Sequence, residues 1–395
     1  MTRSADFDIV VVGGGPAGAT AANDLAVQGH RVLLLDKAGR IKPCGGAIPP
    51  RLIRDFDIPQ SLLCAHAKAA RMIAPSGKTV DMPIDGGYVG MVNRDTFDEF
   101  LRERAAASGA VRETGEFERL ENNPGQPSVV HFSDETGQAR SVTARYIIGA
   151  DGARSKVGKQ TIKGAEKIPC VFAYQEIIAV PETAPEDFDP VRCDVYYQGH
   201  LSPDFYAWVF PHGGTASIGV GSAQKGFSLR GAIKDLRAAT GLDHCDTVRT
   251  EGAPIPLKPL KRWDNGHNVV LAGDAAGVVA PSSGEGIYYA MVCGREVASA
   301  VREALATGQA SALKLARKRF MKAHGKVFWV LGIMQHFWYR NDKRRERFVQ
   351  ICADPDVQYL TWQAYMNKEL VRARPAAHAR IFLKDMGHLL GLSPS

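Results

Sequence analysis

No apolar run in these 395 residues reaches the roughly 18–20 positions a bilayer-spanning helix needs. No secretory leader is expected either, because Met1 to Asp8 is polar and the first apolar run has the look of a buried strand. The seven cysteines, at positions 44, 64, 170, 193, 245, 293 and 352, form no CxxC pair. That scatter argues against a zinc or iron–sulfur site and for reduced thiols in a cytosolic compartment. No metal-ligand spacing and no Ser/His/Asp set stands out, and His66, His200 and His212 are isolated enough to read as structural. Internal repeats and low-complexity runs are lacking. Residues 121–127 and 181–190 read as loops.

What the chain has instead is glycine in informative places. Gly13, Gly14, Gly15, Pro16, Ala17 and Gly18 follow the apolar strand that ends at Val12, and a small-residue helix continues from Ala19 to Val27. Gly13 allows the tight turn. Gly15 lets the backbone approach a pyrophosphate, and Gly18 lets helix and strand pack closely. The helix N-terminus then presents N–H groups to the phosphates. A second strand, RVLLL from Arg31, ends at Asp36, 23 positions after Gly13, where a carboxylate accepts from a ribose hydroxyl. The pattern predicts a dinucleotide site.

Two further strand ends carry glycine with an acid. One is Gly149, Ala150, Asp151, Gly152; the other is Gly273, Asp274, leading to Gly284, Glu285, Gly286 and a helix from about Ile287 to Leu305. Three such junctions suit a cofactor with two ends and a long middle better than NAD on a single half-site.

Together these motifs resemble the FAD flavoproteins that include p-hydroxybenzoate hydroxylase and the geranylgeranyl reductases. The resemblance covers residues 6 to about 310, including Val92, Asn93, Arg94 and Asp95. It implies that Gly13, Gly15, Pro16, Ala17, Gly18, Asp36 and Lys37 hold the ADP part of FAD. It places Gly273 and Asp274 on the ribityl and pyrophosphate, and Asp151 and Gly152 on FAD and pyridine nucleotide. Arg94, Gly284, Glu285 and Gly286 are then expected near the cofactor. Lys42, Pro43, Cys44, Gly45 and Gly46 would fold toward the flavin ring. Pro203 to Pro211 (PDFYAWVFP) looks like the Tyr-x-Trp-x-Phe-Pro signature of the geranylgeranyl reductases, and with the Cys44 loop it points to the chlorophyll and bacteriochlorophyll branch rather than the archaeal lipid branch. Read as chemistry alone, Tyr206, Trp208 and Phe210 offer an aromatic slot for an apolar chain, with only part of the trio expected to face it.

The expected fold is α/β. A Rossmann-like FAD domain of hydroxylase type is assembled from 1–70, 92–165 and 264–310. A mainly antiparallel substrate domain takes 71–91 and 166–263, and a helical region takes 311–395. Strands are expected at Asp194–Gln198, Tyr206–Phe210 and Ser217–Gly221, and late helices at Asn367–Arg372 and Phe382–Leu390.

The net charge of +7 is concentrated between residues 311 and 350, which hold eleven Lys or Arg against two acids. Within that segment, Val327 to Tyr339 is apolar and aromatic. Leu313, Ala316, Phe320, Ala323, Val327, Val330, Met334 and Phe337 recur at helical spacing. Two readings stand: a core helix with a solvated basic flank, or a helix lying on an anionic membrane surface. Nucleic acid is disfavoured, since no recognition fold accompanies the charge.

The resemblance implies reduction of the isolated double bonds of a geranylgeranyl chain to phytyl, on the pigment ester, the diphosphate, or both. FAD carries the hydride and NADPH is the electron source, with ferredoxin left open. Cys44 is expected beside the reacting bond, as proton donor or as pocket wall, with Tyr206 and Trp208 next to it. Other chlorophyll-synthesis enzymes are candidate partners, and the location implied is cytoplasmic, on the inner or photosynthetic membrane. The rival readings are an archaeal-type lipid reductase, an aromatic monooxygenase, and a non-catalytic carrier of chlorophyll intermediates.

Overall fold

The apolar run ending at Val12 folds as the strand Phe7–Val12, whose last four residues are buried, as a parallel strand covered on both faces must be. The structure, a computed structural model, describes residues 5–37, 39, 41–122, 126–180 and 185–368. Phe7–Val12 pairs in parallel with Val32–Asp36 on one side and Ala139–Gly149 on the other. Val111–Glu121 extends the sheet beyond Val32–Asp36, and Val269–Leu271 extends it beyond Ala139–Gly149. Ser128–Asp134 runs antiparallel to both long strands. The parallel strands therefore deliver Gly13, Asp36, Asp151 and Gly273 to one edge of the sheet, the carboxyl edge where such sheets bind ligands.

Close approach explains the first glycines. Gly13 sits at φ +104°, and a Cβ there would lie 2.4 Å from the Ala150 carbonyl oxygen. A Cβ on Gly18 would lie 1.9 Å from the Gly13 carbonyl oxygen. The helix Pro16–Ala26 packs on the helix Ile287–Thr307, where a Cβ on Gly294 would lie 2.3 Å from the Ala17 carbonyl oxygen.

A second sheet has seven strands, in the order Thr247–Pro256, Cys170–Ala179, Thr215–Ser222, Ala207–His212, Arg192–Tyr196, Ala69–Ile73, Thr79–Pro83. All its pairings are antiparallel except Arg192–Tyr196 with Ala69–Ile73. A third, three-stranded sheet joins Ala47–Ile48, Val89–Val92 and Leu63–Ala67. No sequence signal suggested it, and it straddles the expected boundary near residue 91.

The long helix is Lys314–Trp338. Its inward face is Ala316, Phe320, His324 and Phe328, so the expected face is corrected: Ala323 is exposed and His324 is buried. The His324 ring fits among Tyr288, Tyr289 and Phe320, with centroids 5.0–6.1 Å away. Phe328 is core, while Trp329 is 69% exposed and Ile333 48%. Asp342–Ile351 and Pro355–Asn367 follow as helices. Asn367 ends the last of these rather than starting one, Lys368 caps it in a left-handed conformation, and residues 369–372 and all of Phe382–Leu390 lie outside the described residues.

Candidate active site

A cavity of about 720 Å³ opens between the first and second sheets. Gly13, Gly15, Pro16 and Ala17 line one stretch of it. Gly15 N-caps the helix with no side chain, and a Cβ built on it meets nothing within 4 Å. Gly18 supports this turn from behind and does not reach the cavity. Asp36 and Lys37 line the far end, where Lys37 pairs with Glu116 at 2.6 Å. Burial pushes the Asp36 carboxyl up, against the opposing pull of the Gly14 N–H and of Arg102, 3.3 Å away.

Further along, Asp274 and Gly273 line the cavity, and Asp274 is ion-paired with Lys42. Gly273 N–H points to Cys293 Sγ at 3.4 Å. Asp151 and Gly152 line the adjoining wall. The Asp151 carboxylate accepts from Ser155 Oγ at 2.5 Å and Val157 N at 3.1 Å, and burial pushes its pKa up. Arg94 is buried and grips Asp98 through two bonds of 2.9 and 2.7 Å. Burial alone would lower the pKa of its guanidinium; Asp98 and the neighbouring Cys44 sulfur outweigh that and raise it.

At the other end, Cys44 and Gly45 face Tyr206, Trp208 and Phe210, and all five line the cavity. The three aromatic residues share one face, with ring centroids 5.9 and 6.2 Å apart along the row. Ala207 and Val209, between them, point into the opposite core with Ile218 and Val220. The polar ends of the row are engaged elsewhere: Tyr206 donates to Ser283 O at 2.5 Å and Trp208 to Ser217 Oγ at 3.0 Å. What remains toward the cavity is an apolar wall.

Four expectations need correction. The whole aromatic trio, not part of it, lines the cavity. Glu285 does not line the cavity, although Gly284 and Gly286 beside it do. Its carboxylate turns inward to a buried ion pair with Lys368. Burial pushes Glu285 up, with Lys368 pulling the other way. Gly46 also lies behind the lining, against His212 and the Val92 carbonyl. His212 is not isolated: it is buried, 3.1 Å from Gly45 O and 3.2 Å from Asn93 Oδ1.

Residues 6–322 match the FAD binding domain family. Over 388 residues, 98% of each protein, the chain is 56% identical to the geranylgeranyl diphosphate reductase of Rhodobacter capsulatus. The chain belongs to the geranylgeranyl reductase family of FAD-binding flavoproteins. A digeranylgeranylglycerophospholipid reductase of Methanopyrus kandleri is more distant, at 31% identity over 79% of this chain and 84% of its own. Among solved structures, a geranylgeranyl bacteriochlorophyll reductase-like protein of Thermoplasma acidophilum shares the fold, with a TM-score of 0.80 at 23% identity over 94% of this chain and 99% of its own.

The residues present in this reductase fit FAD. The cradle at Gly15 is open where a pyrophosphate must approach, the uncapped helix end offers donors beside it, and Asp36 stands at the neighbouring strand end. Sequence reasoning missed Gln175, which lines the cavity. Its signal was a lone amide inside the apolar strand Cys170–Ala179. Lys42 stands out in the sequence only as part of its loop, and its pairing with Asp274 spans 232 residues that no local pattern connects.

Proposed function

We propose that this chain reduces isolated double bonds of a geranylgeranyl chain to phytyl in (bacterio)chlorophyll formation. NADPH is the electron source in this reading, and the substrate is the pigment ester or the diphosphate. The carrying observation is the apolar wall of Tyr206, Trp208 and Phe210 standing opposite Cys44 in the cavity that Gly15 and Asp274 also line. An isolated alkene has no carbonyl to stabilise developing charge, so it needs a hydride and a proton together in a dry slot. FAD, when bound, supplies the hydride chemistry. The residues from Gly13 to Ala17, with Asp36, Asp151, Gly273 and Asp274, would hold it. The aromatic wall holds the isoprenoid and excludes water. Cys44 Sγ is our candidate for the proton at the adjacent carbon, and the Arg94 guanidinium neighbours that sulfur.

The experiment is anaerobic turnover of geranylgeranyl diphosphate and of the pigment ester, with NADPH or reduced ferredoxin, followed by mass spectrometry. Successive gains of hydrogen pairs support the reading. An oxygenated product in air would replace it with a monooxygenase, and no hydrogenated product from either substrate would end it.

Such a substrate resides in membrane, and we propose that the enzyme meets it there as a peripheral protein on the cytoplasmic side. Among the described residues no helix is long and apolar enough to cross a bilayer. Trp329 and Ile333 project from the helix Lys314–Trp338, with exposed Lys322, Lys326, Arg340 and Lys343 around them. Aromatic and aliphatic tips flanked by basic residues suit an anionic interface. Co-sedimentation with anionic liposomes, reduced by salt and by Trp329→Ser, is the expected result; equal sedimentation of that variant would remove this surface from the reading.

A further inference from the structure

The turn that carries Cys44 is held from behind by two buried polar side chains of the second sheet. Gln175, 2% exposed, donates from Nε2 to the Cys44 carbonyl at 3.4 Å. His212 lies 3.1 Å from the carbonyl of the next residue, Gly45. The neutral ring has one N–H; donating it from Nε2 to the Gly45 carbonyl leaves Nδ1 to accept, from the Cys64 thiol at 3.5 Å and, with the Asn93 amide turned so that its NH2 replaces Oδ1, from Asn93 at 3.2 Å. Two successive carbonyls are thus fixed by two different strands.

The glycines let the supports come close. A Cβ on Gly45 would lie 2.8 Å from the Phe210 ring. Gly46 sits at φ +71°, and a Cβ there would lie 2.5 Å from His212 Cε1. The same supports reach the aromatic wall. Trp208 Nε1 donates to Ser217 Oγ at 3.0 Å, and Ser217 donates to Gln175 Oε1 at 3.3 Å. Gln175 Nε2 also donates to Glu251 at 2.7 Å, and Glu251 is held by Arg249 at 2.6 Å. One hydrogen-bonded chain therefore runs from the wall, through Gln175, to the backbone of Cys44.

We propose that Gln175 and His212 are positioning residues for alkene reduction, which through the Cys44 and Gly45 carbonyls set the thiol against the aromatic wall. The proposal rests on the reading of Cys44 as the residue beside the reacting bond. Neither side chain is asked to exchange a proton with substrate. A donor removed here frees one anchor of a glycine turn whose own backbone resists little.

The test is the rate at which iodoacetamide alkylates Cys44 in the folded, FAD-loaded protein, read by peptide mass mapping. Gln175→Met and His212→Phe keep the volume or ring and remove the donor. Each should change the Cys44 alkylation rate by about tenfold, the ratio expected when one ordinary hydrogen bond is lost. In both, kcat should fall while KM and FAD content hold. His212→Gln, which restores a donor toward Gly45, should return both readouts toward wild type. Unchanged alkylation and unchanged kcat in Gln175→Met and His212→Phe would overturn the proposal, as would a His212→Gln variant no better than His212→Phe. Should His212→Phe fail to fold, Gln175→Met alone decides. Alkylation needs no substrate, so a protein that reduces no alkene yet shows these rate changes would refute the assigned reaction while keeping the placement of Cys44.

Discussion

Two glycines three residues apart separate a cofactor cradle from a packing constraint. At Gly15 the backbone is extended, at φ −72° and ψ −177°, and an added Cβ meets nothing within 4 Å. Gly15→Val should therefore fold. Its cost without ligand is the poorer N-cap, about 1 kcal/mol. At Gly18 an added Cβ lies 1.9 Å from the Gly13 carbonyl oxygen and 3.0 Å from Ala150 Cβ. That carbonyl cannot easily retreat, because Gly13 N is bonded to Leu35 O at 2.8 Å and Ala150 N to Val12 O at 2.8 Å. Gly18→Ala should cost about 1–3 kcal/mol or more, as overpacking does, whether or not FAD is present. FAD at a hundredfold excess over its Kd adds about 2.7 kcal/mol to the wild type. Thermal unfolding of FAD-stripped protein, with and without added FAD, reads all three quantities. The wild type should gain on adding FAD, and Gly15→Val should gain nothing from a near-normal starting point. If FAD stabilises Gly15→Val as much as wild type, the pyrophosphate does not pass this turn and the reasoning is wrong.

Asp274→Ala should weaken FAD retention and release Lys42, while Cys44→Ala keeps FAD and slows single-turnover reduction; dialysis and stopped-flow spectra compare them, and a full-rate Cys44→Ala leaves Cys44 only a wall. Burial, and to a smaller extent Arg249, holds His212 down at about 4, against the bond to Gly45 and well below the ordinary 6.5. Above pH 6.5 the imidazole is neutral folded or unfolded; as pH falls toward 4 only the unfolded chain takes the proton, so stability drops. Urea unfolding should show roughly 2 kcal/mol lost between pH 7 and pH 5 from this group, and a shallower loss in His212→Gln. Arg345 is 1% exposed and bonded to Asp342, Pro203 O and Tyr339 O. Arg345→Gln should then cost about 1.5–3 kcal/mol of stability, whereas Arg340→Gln should affect liposome binding alone; equal melting temperatures for the two would contradict this.

The parts legible in the sequence were those written locally. The run from Phe7 to Asp36 contains its own strand, turn, helix and acid, although the contact that forbids a Cβ at Gly13 is the distant Ala150 carbonyl. Asp274 was legible because its strand end repeats that logic. Glu285 was misplaced because its partner Lys368 stands 83 residues later, and a carboxylate between two glycines gives no hint of which way it turns. The inward face of Lys314–Trp338 slipped because a hydropathy ranking puts alanine inside before histidine, whereas the aromatic cluster around Tyr289 takes the His324 ring. Arg345 was counted with the surface charges, since a tally of lysine and arginine cannot see which one the fold encloses. His212 looked isolated because its partners, Gly45, Cys64 and Asn93, come from three distant segments.

The strand Val269–Leu271 closes the edge of the first sheet and pairs with residues 147–149. The cavity is thus lined by residues from Val12 to Ala290. During synthesis, the glycine turn at the beginning emerges long before its partners at Gly273 and Asp274. A ribosome-bound nascent chain can form the first strands but not the finished pocket. Cofactor loading must wait until some three-quarters of the polypeptide has left the exit tunnel. A nonsense or frameshift lesion in the last third before that point should leave fragments that hold no flavin, however intact their first motif.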